Sequence, residues 1–281
     1  MTTTIGRVRP DTQPTARLRT DILGTLASEF VKIRSVRATY WTLIILIVAS
    51  IGSGATYCAV EAHQWPHLTP QDHANFDPTQ ASVLGVALLG QFVIAVLGAQ
   101  TITAEYSTGM MRTSLTVMPR RTVLYGAKAA VLAAVTLIVA LSTSFASFVL
   151  GQALLAGRHA GATLSQPHVL RSVIVTAGYV AVCGVAAFGL GAILRHTAAA
   201  VAAVFVLFEL IQRLAEALPH NLYTSMEKWL PGGATVGAIT ATTPDSQNPQ
   251  LFSAWGELAV LGAYAVILVV VGAVLFRRRD A

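Results

Sequence analysis

Charge is what this chain has least of. Asp, Glu, Lys and Arg make up 11% of its 281 residues, against 54% hydrophobic residues. A water-soluble domain carries roughly 25% charged residues, so a globular protein wetted on every side is excluded. Mean hydropathy is +0.62 and long apolar runs recur, the composition of a polytopic membrane protein. Cysteine is nearly absent. Cys58 and Cys183 both fall in apolar runs, which excludes a disulfide framework or a paired metal site and leaves two small packing residues. Lysine is rare too: Lys32, Lys128 and Lys228 stand beside 16 arginines, and that bias, with abundant Ala, Val and Gly, points to a GC-rich bacterial genome.

Catalytic signatures are also missing. The chain has no HExxH, no GxSxG and no paired aspartates in an apolar run. It has no Gly-x4-Gly-Lys-Ser/Thr loop either, so it is not expected to hold ATP, nor any other cofactor. The net charge of +6 does not indicate nucleic acid, because no basic element with interleaved aromatics appears. Topology accounts for the arginines instead.

Residues 1–16 are polar, with Pro10 and Pro14, and are expected to be poorly ordered. No secretory leader is expected, since the first long apolar run comes late and lacks a small-residue cleavage pattern. Leu18, Ile22, Leu26, Phe30 and Ile33 then recur at helical spacing, with Glu29, Lys32, Arg34 and Arg37 largely off that stripe. This predicts an amphipathic helix over 17–39 lying in the headgroup region. Residues 40–281 read as a single transmembrane domain with spans near 41–60, 81–104, 123–156, 170–194, 197–218 and 253–276. The third run exceeds one membrane thickness, so it either tilts or protrudes, with Lys128 snorkelling. A short helix is expected near 222–230, broken by Pro231, Gly232 and Gly233.

Six spans put both termini on one side. Fifteen Lys and Arg residues fall on that side and four on the other, which sets both termini in the cytoplasm of a bacterial inner membrane. The loop 61–80 holds Glu61, Asp72, Asp77 and three histidines but no Lys or Arg, as an outer loop should.

Two stretches carry candidate function. In span five, Glu209 precedes Arg213 by four residues, a spacing that favours an intrahelical pair. Either it marks a substrate pathway or gate, or it is a salt bridge near the outer interface that neutralises itself. The second stretch is 100–122, where Glu105 closes an apolar run, Gly109 offers a bend, and Met110, Met111, Leu115 and Met118 could face one side of a short helix. Arg112, Arg120 and Arg121 add charge. Methionines suit an adaptable protein contact, and the turn Arg195-His196 shows that a loop needing only to reverse can be far shorter. The stretch therefore reads as a cytoplasmic docking loop. The outer His63, His67, Asp72, His73 and Asp77 are weak as a metal site, because Trp65-Pro66 breaks the helix that would align His63 with His67.

Two blocks resemble the permease subunits of type-2 ATP-binding-cassette (ABC) exporters, especially actinobacterial ones. One is SEFVKIRSVRATYWTL, residues 28–43; the other is AEYSTGMMRTSL with the following MPRR. Met110 stands where that family usually has Thr. The resemblance implies an all-helical six-span permease that pairs with a second permease copy. It implies a separate ATPase subunit, carrying ATP and Mg, docked beneath the loop (Glu105, Gly109, Met110, Met111, Arg112, Leu115) and the interfacial helix (Glu29, Phe30, Lys32, Arg34, Arg37). The cargo would be hydrophobic or amphipathic and would move outward. A non-transporting membrane sensor or assembly component that docks an ATPase stays open at this point.

Overall fold

The computed structural model describes residues 14–110, 121–231 and 253–279. Every element in them is helical, and six helical segments are long and apolar enough to cross a membrane: Arg37–His67, Pro78–Ser107, Arg121–Arg158, Val169–Leu194, Thr197–Glu216 and Ala254–Arg278. The chain is an all-α, multi-pass membrane protein. Its first helix, α1 (Pro14–Ser35), already includes residues 14–16; the rest of the expected tail lies outside the described residues. Val36, in extended backbone, breaks it from α2 (Arg37–Gln64), which forms most of span one.

Beyond α2 a 3-10 turn at Trp65–His67, with Pro66 inside it, ends the span. His63 and His67 therefore do not share a helical face. The loop behind them is folded: α3 (Pro70–Asn75) has a capping box in which Thr69 and Asp72 satisfy each other's backbone N–H. Trp65 stacks on His73 at 4.4 Å and meets Phe76 edge-on at 5.2 Å. Thr69 hydrogen bonds hold the Asp72 carboxyl below its usual range.

Span two is made of α4 (Pro78–Leu88) and α5 (Gly90–Ser107), interrupted at Leu89. Span three, α6 (Arg121–Leu155), has 35 residues; at 1.5 Å per residue it is roughly 50 Å long, against about 30 Å of hydrocarbon. Span four is α7 (Val169–Leu194). Span five is composite, with α8 (Thr197–Phe205) and α9 (Ile211–Glu216) joined by a π-helical turn at Val206–Leu210. The helix expected near 222–230 is present as α10 (His220–Met226) and a 3-10 turn, Glu227–Trp229. Gly232 and Gly233 lie outside the described residues. Span six is α11 (Ala254–Arg279).

Span four is the axis. Its apolar stretch is 83% buried, whereas spans one and six are 22% and 17% buried. Small residues permit the close packing. A side chain at Gly98 would collide with the Gly184 backbone carbonyl of span four, and one at Gly85 with the Ser50 carbonyl of span one. Tyr125 locks spans three, four and six together. Its ring lies 4.9 Å from Phe188 and 5.5 Å from Phe276, and its hydroxyl donates to the Val269 carbonyl at 3.1 Å. Ile44, Ile45 and Val48 of span one, and Val266, Ile267 and Val270 of span six, are left exposed. Apolar faces of that extent are those of helices in contact with lipid or another chain.

Candidate functional site

Four ionic side chains converge where α1 meets the ends of spans two and three. Glu29 and Lys32 lie one turn apart on α1, Glu105 is near the end of α5, and Lys128 is two turns into α6. The Lys128 ammonium donates to Glu29 Oε2 at 2.6 Å and to Glu105 Oε1 at 2.5 Å. Lys32 bonds Glu29 Oε1 at 2.8 Å and reaches Glu105 Oε1 at 3.3 Å. Two acids and two bases alternate, so the cluster is neutral. Lys128 is only 2% exposed. Removing one of its buried members, Glu29, Glu105 or Lys128, leaves an uncompensated charge, which costs about 3–5 kcal/mol. At Lys32 burial opposes the charge, but the bond to Glu29 and the nearby Glu105 carboxylate outweigh it and raise its pKa.

This corrects the expectation that Lys128 snorkels. Its section of the overlong third helix is covered by α1, and the ammonium turns inward because two carboxylates wait there. Glu29 is corrected too: it lies on the buried face of α1 with Thr25, while Phe30 is exposed. Arg34 and Arg37 are exposed.

The end of span two carries two further ties. Thr103 and Thr197, the first residue of α8, share a hydrogen bond of 2.6 Å. The Arg195 guanidinium lies over the Tyr106 ring at 4.9 Å, a cation–π contact. Arg195 adopts left-handed backbone at φ 55°, which lets a two-residue turn join spans four and five. Helix α5 is thus tied through Glu105 to α1 and span three, and through Thr103 and Tyr106 to the turn and span five. It ends at Ser107, and Gly109 follows with a φ of +69° that suits glycine. Met110 follows, exposed. Met111, Arg112 and Leu115, with the short helix expected there, lie outside the described residues.

A second polar group spans the interior. The Tyr179 hydroxyl donates to Gln91 Oε1 at 2.5 Å, and Gln91 Nε2 donates to Glu209 Oε1 at 2.7 Å. The expected Glu209–Arg213 pair is not formed. Arg213 instead contacts Glu216 at 3.4 Å, exposed. The reason is the π turn: it breaks the four-residue register that would align the two, and it aims Glu209 at span two.

Sequence reasoning missed Lys128, Gln91, Tyr179, Thr103, Tyr106 and Thr197 as parts of these clusters. Glu29 and Lys32 show their i,i+3 spacing in the sequence. The remaining contacts join residues 23 to 118 positions apart, which no local pattern signals.

No curated protein matches the chain. A family model described as an ABC-2 family transporter protein matches residues 25–212, about two thirds of the length. The matched region begins just before Glu29, contains both polar clusters, and ends three residues after Glu209. With six apolar helices, the fourth of them the most buried, the chain belongs to the ABC-2 family of transporter proteins as a transmembrane permease.

Proposed function

We propose that this chain is the permease subunit of an exporter that moves a hydrophobic or amphipathic compound outward, driven by ATP and Mg bound on a separate ATPase subunit. The observation that carries the reading is the buried cluster Glu29–Lys32–Glu105–Lys128. It fuses α1, the end of span two and the start of span three into one unit directly beside the Gly109 bend. A loop that only reverses the chain does not need such anchoring; a loop that is pushed does. The ATPase would dock on Glu105, Gly109, Met110, Met111, Arg112 and Leu115 and on α1. Its closure would move the unit, and the ties from Thr103 and Tyr106 would pass that motion to span five. In this reading both termini are cytoplasmic, α1 lies at the inner face of a bacterial cytoplasmic membrane, and a second permease copy completes the pathway.

The test is copurification of the full-length chain with a co-expressed ABC ATPase subunit from the same genome. Met110→Asp, in the loop, should reduce ATPase recovery severalfold, while Met226→Asp, at the opposite end of the bundle, should leave it unchanged. Failure of the ATPase to copurify, or equal effects of the two substitutions, would overturn the reading.

A further inference from the structure

The hydrogen-bond chain inside the membrane has a direction. Gln91 and Tyr179 are fully buried, and Tyr179 occupies the Gln91 carbonyl oxygen as donor. The amide is left to donate, and its partner is Glu209 Oε1. The relay therefore ends on Glu209, whose Oε1 serves as a hydrogen-bond acceptor. Glu209 lies 12 residues into span five, roughly 18 Å along the helix. A carboxylate at that depth is costly unless it meets water or a cation.

Among the described residues no cation pairs with that carboxylate. Lys128 is held by Glu29 and Glu105, Arg213 contacts Glu216, and no Lys or Arg among the described residues forms an ion pair with Glu209. Glu209 is only partly buried, and the surface around it is apolar and open: Phe205, Val206, Leu210 and Ile211 are all exposed. One helical turn before Glu209, Phe205 pairs with Phe92 of span two, ring centroids 5.9 Å apart. A fixed carboxylate beside two aromatic rings in an apolar wall is the chemistry that recognises an organic cation.

We infer that Glu209, oriented by Gln91 and Tyr179, binds the positively charged head of a lipophilic cation, so that the cargo is a cationic amphiphile. This rests on the permease reading and adds the cargo's charge to it.

Two ions of the same shape and opposite charge test it: tetraphenylphosphonium and tetraphenylborate. Binding of each is measured on the detergent-solubilised permease–ATPase complex, and the ratio of the two dissociation constants is compared between wild type and Glu209→Gln. Glutamine keeps an acceptor for Gln91 but not the charge. The expected result is that Glu209→Gln lowers the preference for the phosphonium about tenfold, the equilibrium value of one close charge pair, and that Glu209→Asp retains most of it. An unchanged ratio in Glu209→Gln overturns the inference, as does wild type binding neither ion. So does cross-linking of two copies through Leu210→Cys with no ion preference, since the face would then belong to a second copy. ATPase recovery is scored on the same preparations. A missing ion preference with the ATPase retained overturns the cargo charge alone; a missing ATPase overturns the permease reading itself.

Discussion

At the scale of single residues, Lys128 is the buried charge on which the ionic cluster turns. It is enclosed, and its charge is balanced by Glu29 and Glu105. Lys128→Met should leave two buried carboxylates with only the partly exposed Lys32 to balance them and lower stability by about 3–5 kcal/mol. The double variant Lys128→Met/Glu105→Gln, which removes one charge of each sign, should recover part of the loss; thermal denaturation in detergent compares them. Additive losses would show that the two residues do not act as a pair. Lys32 behaves differently because it is partly open to solvent. Its pKa is raised above the ordinary 10.5 by Glu29 and Glu105, which outweigh the opposing effect of burial. A raised ammonium contributes stability that is fully present below 10.5 and is lost as pH climbs through the folded value. The tie from α1 should therefore persist at neutral pH and weaken only in strong alkali. Melting temperature measured from neutral pH past 10.5 should fall more steeply in wild type than in Lys32→Met, which has no ammonium left to lose.

At the scale of elements, the helices were easier to read from sequence than their partners. Apolar length alone predicts six membrane helices, because hydrocarbon requires each spanning segment to satisfy its own backbone hydrogen bonds. Pro66 marks a break that local chemistry explains, whereas no Gly or Pro signals the one at Val36. The π turn was not legible. It inserts a residue into a continuous apolar stretch without Gly or Pro, and the intrahelical Glu209–Arg213 pair expected from spacing fails for that reason. Close packing was half legible: small residues were visible, but in an Ala-rich chain their count does not say which ones touch. Gly98 does, against the Gly184 carbonyl. Gly98→Val has no side chain on the far side that could yield, so the two spans must separate. It should reduce the folded yield sharply, with a loss of at least about 1–3 kcal/mol. Gly52→Val, where a side chain would meet open space, should be tolerated. Equal yields of the two would show that spans two and four do not pack this closely.

At the scale of the whole molecule, arginine placement and the ionic cluster make one claim about orientation. Fifteen basic residues against four are the ground for proposing that the end carrying α1 faces the cytoplasm. The buried cluster lies at that same end, beside the loop proposed to meet the ATPase. If the orientation were reversed, the loop would face a compartment without ATP and the cluster would anchor nothing. The two cysteines give a direct way to decide, since both are buried and free and a membrane-impermeant maleimide should react with neither in intact cells. Met110→Cys and Ser225→Cys then place one exposed thiol at each end of the bundle. Ser225→Cys should label from outside in intact cells. Met110→Cys should label only in inverted vesicles or after permeabilisation. The opposite pattern would place the ATPase-docking face outside the cell, and the proposal of an ATP-driven exporter would fall with it.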